Sequence, residues 1–531
     1  MKEKKKLKLK KFYFHPITVF LLLTIFVIIL SAILSGLQMQ GTYSEINTQT
    51  YKLNSTLVTV NNMLSFDGMK YIFSNALRDF LSFAPLGMLI ITLIGVSVAT
   101  ATGFLDTFCK RKLSKIDKRV LTFIVLFLAT ISSLINEVGY VLLIPLAAMI
   151  YQYNNRHPFL GIITAFCGVS FGYGVSLFVG SLDVNLIPYT TSAARLIDDS
   201  THISLTSNLF IIIAFSFLLP LIGTIVIEKI IAPRIGKKKE KEETAKTEEL
   251  QIIDEEELEQ MKIEKEKREK RGLKFAYITG IVIILLFIYM LIPNLPMSGM
   301  LLDMNEDTYL GQLFGSNSYF QDGFTYMMSL LFCGMGLAYG IGAKTIKNDK
   351  ELIQGCKETF LPMGEMLILL FVVSQFISVF KQTNIGTVIG CLLANLLGSL
   401  NFTGIPLIIF TIIIIGIANL FITTPTAKWE IFSPVVVPAF MQSNLSPQFA
   451  QFILRVGTSI TAGITPLLAG FAIYIGYLNI YNQDKKKPIS IRESIGYVIP
   501  YFGVIAFTWI FLTVCWYLIG LPLGPGVLPS L

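Results

Sequence analysis

Residues 419–466 decide how the chain is read: Asn419-Leu-Phe-Ile-Thr-Thr-Pro-Thr-Ala-Lys-Trp429 and, further on, Arg455-Val-Gly-Thr-Ser-Ile-Thr-Ala-Gly-Ile-Thr-Pro466. They lie in an apolar sequence yet hold Lys428, Trp429, Arg455, many threonines and prolines at 425, 434, 438, 447 and 466. A helix that only crossed lipid would need none of these. Polar and irregular backbone at membrane depth persists only where protein buries it or a cavity borders it. An ionisable residue there marks a functional site by default. The stretch therefore reads as half of a translocation site.

The rest of the chain agrees. It has 531 residues, 53% hydrophobic and 15% charged, with repeated apolar runs near the length of a membrane span. Composition thus excludes a soluble multidomain enzyme and points to an all-α polytopic membrane protein. The net charge of +8 sits in short basic clusters beside apolar runs, where it reports orientation rather than nucleic-acid binding. The six cysteines show no CxxC spacing and the three histidines no ligand partner, so neither a disulfide framework nor a metal site is expected. Walker A, HExxH and Ser/His patterns are missing, which argues against ATP as energy source and against an intramembrane enzyme.

Lys2–Lys11 and the basic cluster at 109–119 place the N-terminus in the cytoplasm by the positive-inside rule. Nine spans are expected, near 16–36, 83–106, 158–180, 206–232, 275–293, 323–343, 361–380, 446–480 and 494–521. Two re-entrant hairpins, 120–153 and 404–441, account for the remaining apolar runs. The first turns at Asn136 and Glu137, the second at 423–428. The first transmembrane half is 1–236 and the second 275–531. The charged segment 237–274 between them reads as a cytoplasmic linker, helical through Glu–Lys pairs.

The halves repeat each other in opposite orientation. Phe83-Ala-Pro85-Leu-Gly87 answers Phe360-Leu-Pro362-Met-Gly364. Each half then has a hairpin with proline in its second arm, a proline opening the next helix, and a glycine-rich break. The first break carries Gly168, Ser170, Gly172, Gly174 and Gly180, the second runs from Gly457 to Pro466. Inverted repeats with discontinuous helices indicate a secondary transporter whose substrate sits at the repeat interface. Ser170, Gly172 and Gly174 then face the substrate through freed backbone.

Asn136-Glu-Val-Gly-Tyr-Val-Leu-Leu-Ile-Pro-Leu-Ala-Ala148, Arg156-His-Pro158 and Gly180-Ser-Leu-Asp183 resemble the p-aminobenzoyl-glutamate transporter (AbgT) family. So do Gln375-Phe, Thr383-Asn-Ile-Gly386, Asn419-Leu-Phe, Ala427-Lys-Trp429, Pro434-Val-Val-Val-Pro438, Arg455-Val-Gly457, Ile464-Thr-Pro466 and Pro500-Tyr501. The resemblance implies a homodimer in the plasma membrane, with nine spans and two hairpins. It also implies transport of folate-breakdown products, or efflux of antimetabolites such as sulfonamides, coupled to protons or sodium. Carried onto this sequence, it assigns Asp183, Thr426, Trp429, Pro447, Arg455 and Pro466 to the site. Three places depart from the pattern: Thr458 follows Gly457 where the family has aspartate, Ala462 stands where it has asparagine, and Val98-Ala-Thr100 stands where an acid is usual.

Arg455 suits a carboxylate through two parallel hydrogen bonds, the alternative being a pair with Asp183 across the repeat. Trp429 offers a stacking face for an aromatic ring, and Thr458 joins the substrate set. Lys428 either snorkels outward or is structural. Asp183 and Glu137 are candidates for a coupling proton or ion. Asn136, Asn419, Thr424 and Ser459, with Thr423 and Thr461, supply hard oxygens of the kind sodium takes. These readings expect a rocking or elevator-like transporter of carboxylate-bearing molecules, without organic cofactor, in which Arg455→Ala or Trp429→Ala abolishes uptake. The alternatives are a carrier of short-chain or dicarboxylic acids and, less well supported, a channel.

Overall fold

The computed structural model describes residues 14–46, 53–113, 116–135, 137–236, 255–315, 317–484 and 486–531. In the first half α1 (Pro16–Gly36) leads to an antiparallel hairpin, β1 (Gln40–Ile46) and β2 (Leu53–Thr59), paired from Gln40 with Thr59 to Ile46 with Leu53. There follow α2 (Phe66–Leu81), α3 (Ala84–Ala101), α4 (Phe104–Phe108), α5 (Lys118–Ile131), α6 (Val138–Tyr153), α7 (Pro158–Phe171), α8 (Ser181–Ala194), α9 (Leu209–Val226) and α10 (Ala232–Gly236).

The second half comprises α11 (Glu255–Met290), α12 (Tyr309–Phe314), α13 (Tyr319–Ala343), α14 (Asp349–Phe360), α15 (Gly364–Gln382) and α16 (Ile385–Ser399). It ends with α17 (Gly404–Asn419), α18 (Pro425–Gln442), α19 (Pro447–Ala462), α20 (Ala469–Ile480) and α21 (Ile491–Ile519).

Prolines set the helix starts. Pro16, Pro85, Pro158, Pro425 and Pro447 all stand in the first turn, where a missing N–H costs nothing. His15 and His157 precede two of them, and each Nδ1 accepts a hydrogen bond from the backbone N–H two residues on. These histidines are caps, in keeping with their place near expected helix ends.

Among the described residues eight helices are long and apolar enough to cross a membrane. The expected spans at 158–180 and 446–480 are divided, into α7 and α8 and into α19 and α20. The other expected spans coincide with long helices. The polar stretch after residue 183 is more ordered than its sequence suggests, because Asp183 caps α8 by accepting from Gly180 N. The segment 37–80, read as a loop with some packed structure, holds the β-hairpin and α2, so the fold is helical with one small sheet. The charged segment read as a linker is helical where it is described. Residues 237–254 lie outside the described set, and from Glu255 the charged segment is the start of α11, which continues unbroken into the apolar run. Pairs between Glu264 and Arg268 and between Glu266 and Lys270 support that helix, and Arg111 reaches Glu266 and Glu269 from the other half.

α5, α6 and α17 pack mainly on the broken helix that follows their hairpin, α7 for the first two and α19 for the third, while α18 touches α19 but packs more on α8 and α16. The second half of each broken helix then crosses over: α8 packs on α18, and α20 packs on α6. Phe166 of α7 stacks on Tyr474 of α20 at 4.1 Å, and Gly470 lies where a Cβ would be 2.5 Å from the Tyr140 ring. The inverted repeat is therefore interlocked, each half completing the core of the other.

One buried polar cluster holds α5, α7 and the turn after α9. Arg156 Nη2 donates to Glu228 Oε1 at 2.7 Å, its Nη1 donates to Thr122 Oγ1 at 2.9 Å, and the guanidinium lies 4.6 Å over the Tyr151 ring. Removing one partner of a buried pair costs more than removing both, because a bare charge stays behind. Glu228→Gln is expected to lower stability by roughly 3–5 kcal/mol. Thermal melts in detergent should show that loss, with Arg156→Met and Glu228→Leu together costing less than Glu228→Gln alone.

Candidate substrate-binding site

The hairpin turns and helix breaks meet around one cavity of about 570 Å³. The first hairpin contributes Glu137 and Tyr140, and the first break Tyr173. The second hairpin contributes Asn419, Thr424 and Thr426, α19 contributes Thr458, and the second break Thr465. Of the residues named from sequence, Glu137, Asn419, Thr424, Thr426 and Thr458 are thus brought together. Asn136 lies outside the described residues. Sequence reasoning missed Tyr140, Tyr173, Thr465 and Lys381; the last lines this cavity and two neighbouring ones of about 220 Å³ each. No periodicity singles Lys381 out, since it ends an ordinary helix.

Arg455 does not line the cavity. Its Nη2 forms an ion pair with Asp183 Oδ1, and its Nη1 donates to Gly174 O at 3.5 Å. Both side chains are almost fully buried. Of the two readings of this arginine, the structure shows the pair with Asp183, 272 positions away in sequence. Asp183 also accepts from Gly180 N through Oδ2 at 3.0 Å. Arg455 borders only a closed gap beside the cavity, with Tyr173, Leu182, Pro425 and Thr458. The two breaks are fitted together here. Gly174 N donates to Ser459 Oγ at 2.8 Å, and a Cβ on Gly174 would lie 2.7 Å from that oxygen. Gly463 in turn leaves room for the Phe171 ring.

Other candidates have partners within the protein. Trp429 is fully buried between α18 and α8, its Nε1 donating to Thr190 Oγ1 at 2.8 Å, so it presents no face to the cavity. Ser170 accepts from Tyr140 at 3.1 Å, and Gly172 caps α7. Pro447 opens α19, Pro466 follows Thr465 in the second break, and neither lines the cavity. Ser459 is occupied by Gly174 N and by the Arg455 carbonyl. A polar residue in an apolar run signals that something needs a partner, but not whether the partner is protein or substrate.

Lys428 does not snorkel outward. It is fully buried, and its Nζ donates to Asn419 Oδ1 at 2.5 Å and to Thr458 Oγ1 at 2.9 Å. Asn419 Nδ2 donates to Thr458 O and Thr461 Oγ1, both at 3.1 Å. The oxygens set aside for sodium at Asn419, Ser459 and Thr461 are therefore spent on protein donors. No group of three His, Cys, Asp or Glu among the described residues could hold a metal.

If Asp183–Arg455 ties the repeats together, its loss should show in folding rather than in affinity. Asp183→Asn is expected to destabilise by roughly 3 kcal/mol, and Asp183→Asn with Arg455→Gln by less than the sum of the two single changes. A double-mutant cycle in melting experiments measures that coupling; additive losses would refute the tie.

Residues 10–531 match the AbgT putative transporter family. The p-aminobenzoyl-glutamate transport protein of Escherichia coli (strain K12) is 28% identical over 517 residues, covering 97% of this chain and 94% of that protein. Two solved structures are similar. The Alcanivorax borkumensis YdaH transporter, described as having an unusual topology, is 28% identical, with 96% of this chain and 100% of that one covered and a TM-score of 0.47. The Neisseria gonorrhoeae protein MtrF, described with a class of antimetabolite efflux pumps, is 28% identical over 97% and 98% of the two chains, with the same score. Matched over almost its whole length, the chain belongs to the AbgT family and is a multi-pass membrane transporter of small molecules, not an enzyme.

Proposed function

We propose that this transporter is a secondary carrier of carboxylate-bearing small molecules, with p-aminobenzoyl-glutamate the first candidate. The observation that carries the proposal is a cavity lined by both hairpin turns and both helix breaks of an interlocked repeat. Such an arrangement suits alternating access, in which one bundle moves against the other around a fixed site. A volume of about 570 Å³ fits a small organic molecule. Threonine hydroxyls at 424, 426 and 458 furnish neutral hydrogen-bonding groups, and Lys381 furnishes a cation. The name of the E. coli relative supports the choice of cargo. Other organic anions, short-chain or dicarboxylic, are the second reading, since nothing in the threonine lining demands an aromatic ring now that Trp429 is packed away.

A proton or sodium gradient drives the carrier in this proposal. Glu137 is the group placed to exchange a proton, because it lines the cavity at the first hairpin turn and forms no side-chain cap there. We place the protein in the plasma membrane as a homodimer, with its N-terminus in the cytoplasm. The basic residues Lys110, Arg111 and Lys112 support that orientation.

The test is uptake into proteoliposomes of p-aminobenzoyl-glutamate and a panel of simple carboxylates, with sodium and pH gradients imposed separately. Uptake of the first compound, stimulated by one gradient, is the expected result. No uptake of any carboxylate under either gradient refutes the proposal. Thr426→Val should lower uptake about ten-fold with normal folding, as befits one lost hydrogen bond to a charged ligand. Trp429→Ala, by contrast, should reduce the amount of folded protein, contrary to what its sequence position suggests.

A further inference from the structure

Three cavities meet at Lys381, and they differ in what faces it. The main cavity has Glu137 and Asp322 in its lining, and the cavity between α2 and α15 has Asp79. Asp79 is already engaged, accepting from Tyr71 and Ser378. The third cavity, of about 220 Å³, lies between the end of α15, the start of α16 and the second hairpin turn. Lys381 is its only charged lining residue, so no acid opposes the lysine there. Lys381 is exposed in the last turn of α15, where water and the helix dipole both favour an ammonium. Among the described residues it forms no ion pair.

The walls of this third cavity are largely apolar. Ile377 and Phe380 come from α15, Phe421 and Ile422 from the hairpin turn, and Leu467 from the second break. Gly386 lets the start of α16 close on them: a Cβ there would lie 2.9 Å from Phe421 O and 3.3 Å from the Phe380 ring. An apolar cavity of about 150 Å³ admits benzene, so about 220 Å³ holds one ring with a short substituent. Ile377, Lys381, Thr423, Thr424 and Leu467 line both this cavity and the main one. One molecule can therefore occupy both, its apolar end in the third cavity and its polar end in the main one.

We infer that the third cavity is the compartment for the ring of an aromatic carboxylate, and that Lys381 pairs with the carboxylate at the junction. The ring packs against Phe380 and Phe421, where ring–ring contact adds to burial. The rest of the molecule extends into the main cavity. The inference rests on the carrier reading and deepens it. It assigns to α15 and the hairpin turn the aromatic selectivity that Trp429, bonded to Thr190, does not supply.

Titration calorimetry on the full chain in detergent tests this without requiring transport. The probes are hippurate, which joins a benzoyl ring to a carboxylate, N-acetylglycine, which lacks the ring, and hippuramide, which lacks the charge. Wild-type protein should bind hippurate about ten-fold more tightly than N-acetylglycine and about five-fold more tightly than hippuramide. Ala427→Trp fills the compartment from an exposed position and should erase the first preference while leaving N-acetylglycine affinity unchanged. Thr387→Phe, which fills it from α16, should do the same, so one of the two suffices if the other fails to fold. Lys381→Gln should erase the second preference, and Lys381→Arg should keep it. No preference for hippurate in wild-type protein overturns the compartment. So does a ring preference that survives filling, as it would if a lipid chain occupied the cavity. A charge preference that survives Lys381→Gln overturns the pairing. If proteoliposomes take up no carboxylate while these preferences hold, the carrier reading fails and the compartment stands. Uptake of p-aminobenzoyl-glutamate that Ala427→Trp leaves unchanged overturns the compartment and spares the carrier.

Discussion

A chain that crosses lipid has no water to finish its hydrogen bonds, and the Asp183–Arg455 pair is where that constraint bears hardest. Each residue alone would be an unpaired charge in the middle of a helical core. Together they fix the first helix break against α19, with Gly180 N holding the carboxylate and the Gly174 carbonyl facing the guanidinium. The glycines are part of the same constraint, because a side chain at Gly174 would push the paired segments apart. The broken helices are thus kept in register by a charge pair and by the missing bulk that lets the backbones approach.

The cavity inherits its shape from this arrangement. With Arg455 and Trp429 both committed to the protein, the cavity is walled mainly by apolar side chains such as Phe83, Met88, Ile377 and Leu467, with hydroxyl, amide and phenol groups set among them. Charge enters through Glu137, Asp322 and Lys381 at the lining. A mostly neutral wall carrying a few charged groups tolerates ligands of varied outline while still sensing their sign.

Much of the fold was legible in the sequence because lipid imposes simple rules. Apolar runs gave the spans, prolines gave the helix starts, and the glycine-rich stretches gave the breaks, though these open only after Phe171 and Ala462, with Gly168 and Gly457 still inside α7 and α19. What was not legible depends on partners distant in sequence. For Arg455 the pair with Asp183 was one of two readings, and sequence alone could not choose between them. Trp429 was aromatic in the right stretch, but Thr190, which satisfies it, lies far upstream. Lys428 was open to an outward or a structural reading, since the two oxygens that hold it come from different helices. The β-hairpin was hidden for another reason: its strands are short, polar and alternate weakly, with a burial pattern closer to that of a loop.

The crossing of the repeats has a consequence for synthesis. When α8 leaves the ribosome, the helix it will pack on and the arginine that will balance Asp183 have not yet been made. At roughly 5–20 residues per second, the 272 positions between them represent on the order of 15–55 s. For that interval the first half holds a carboxylate without its cation and a helix without its neighbour. The nascent protein is therefore longest at risk in a half-made state, and whatever shelters α8 from lipid during that wait governs how much carrier a cell obtains.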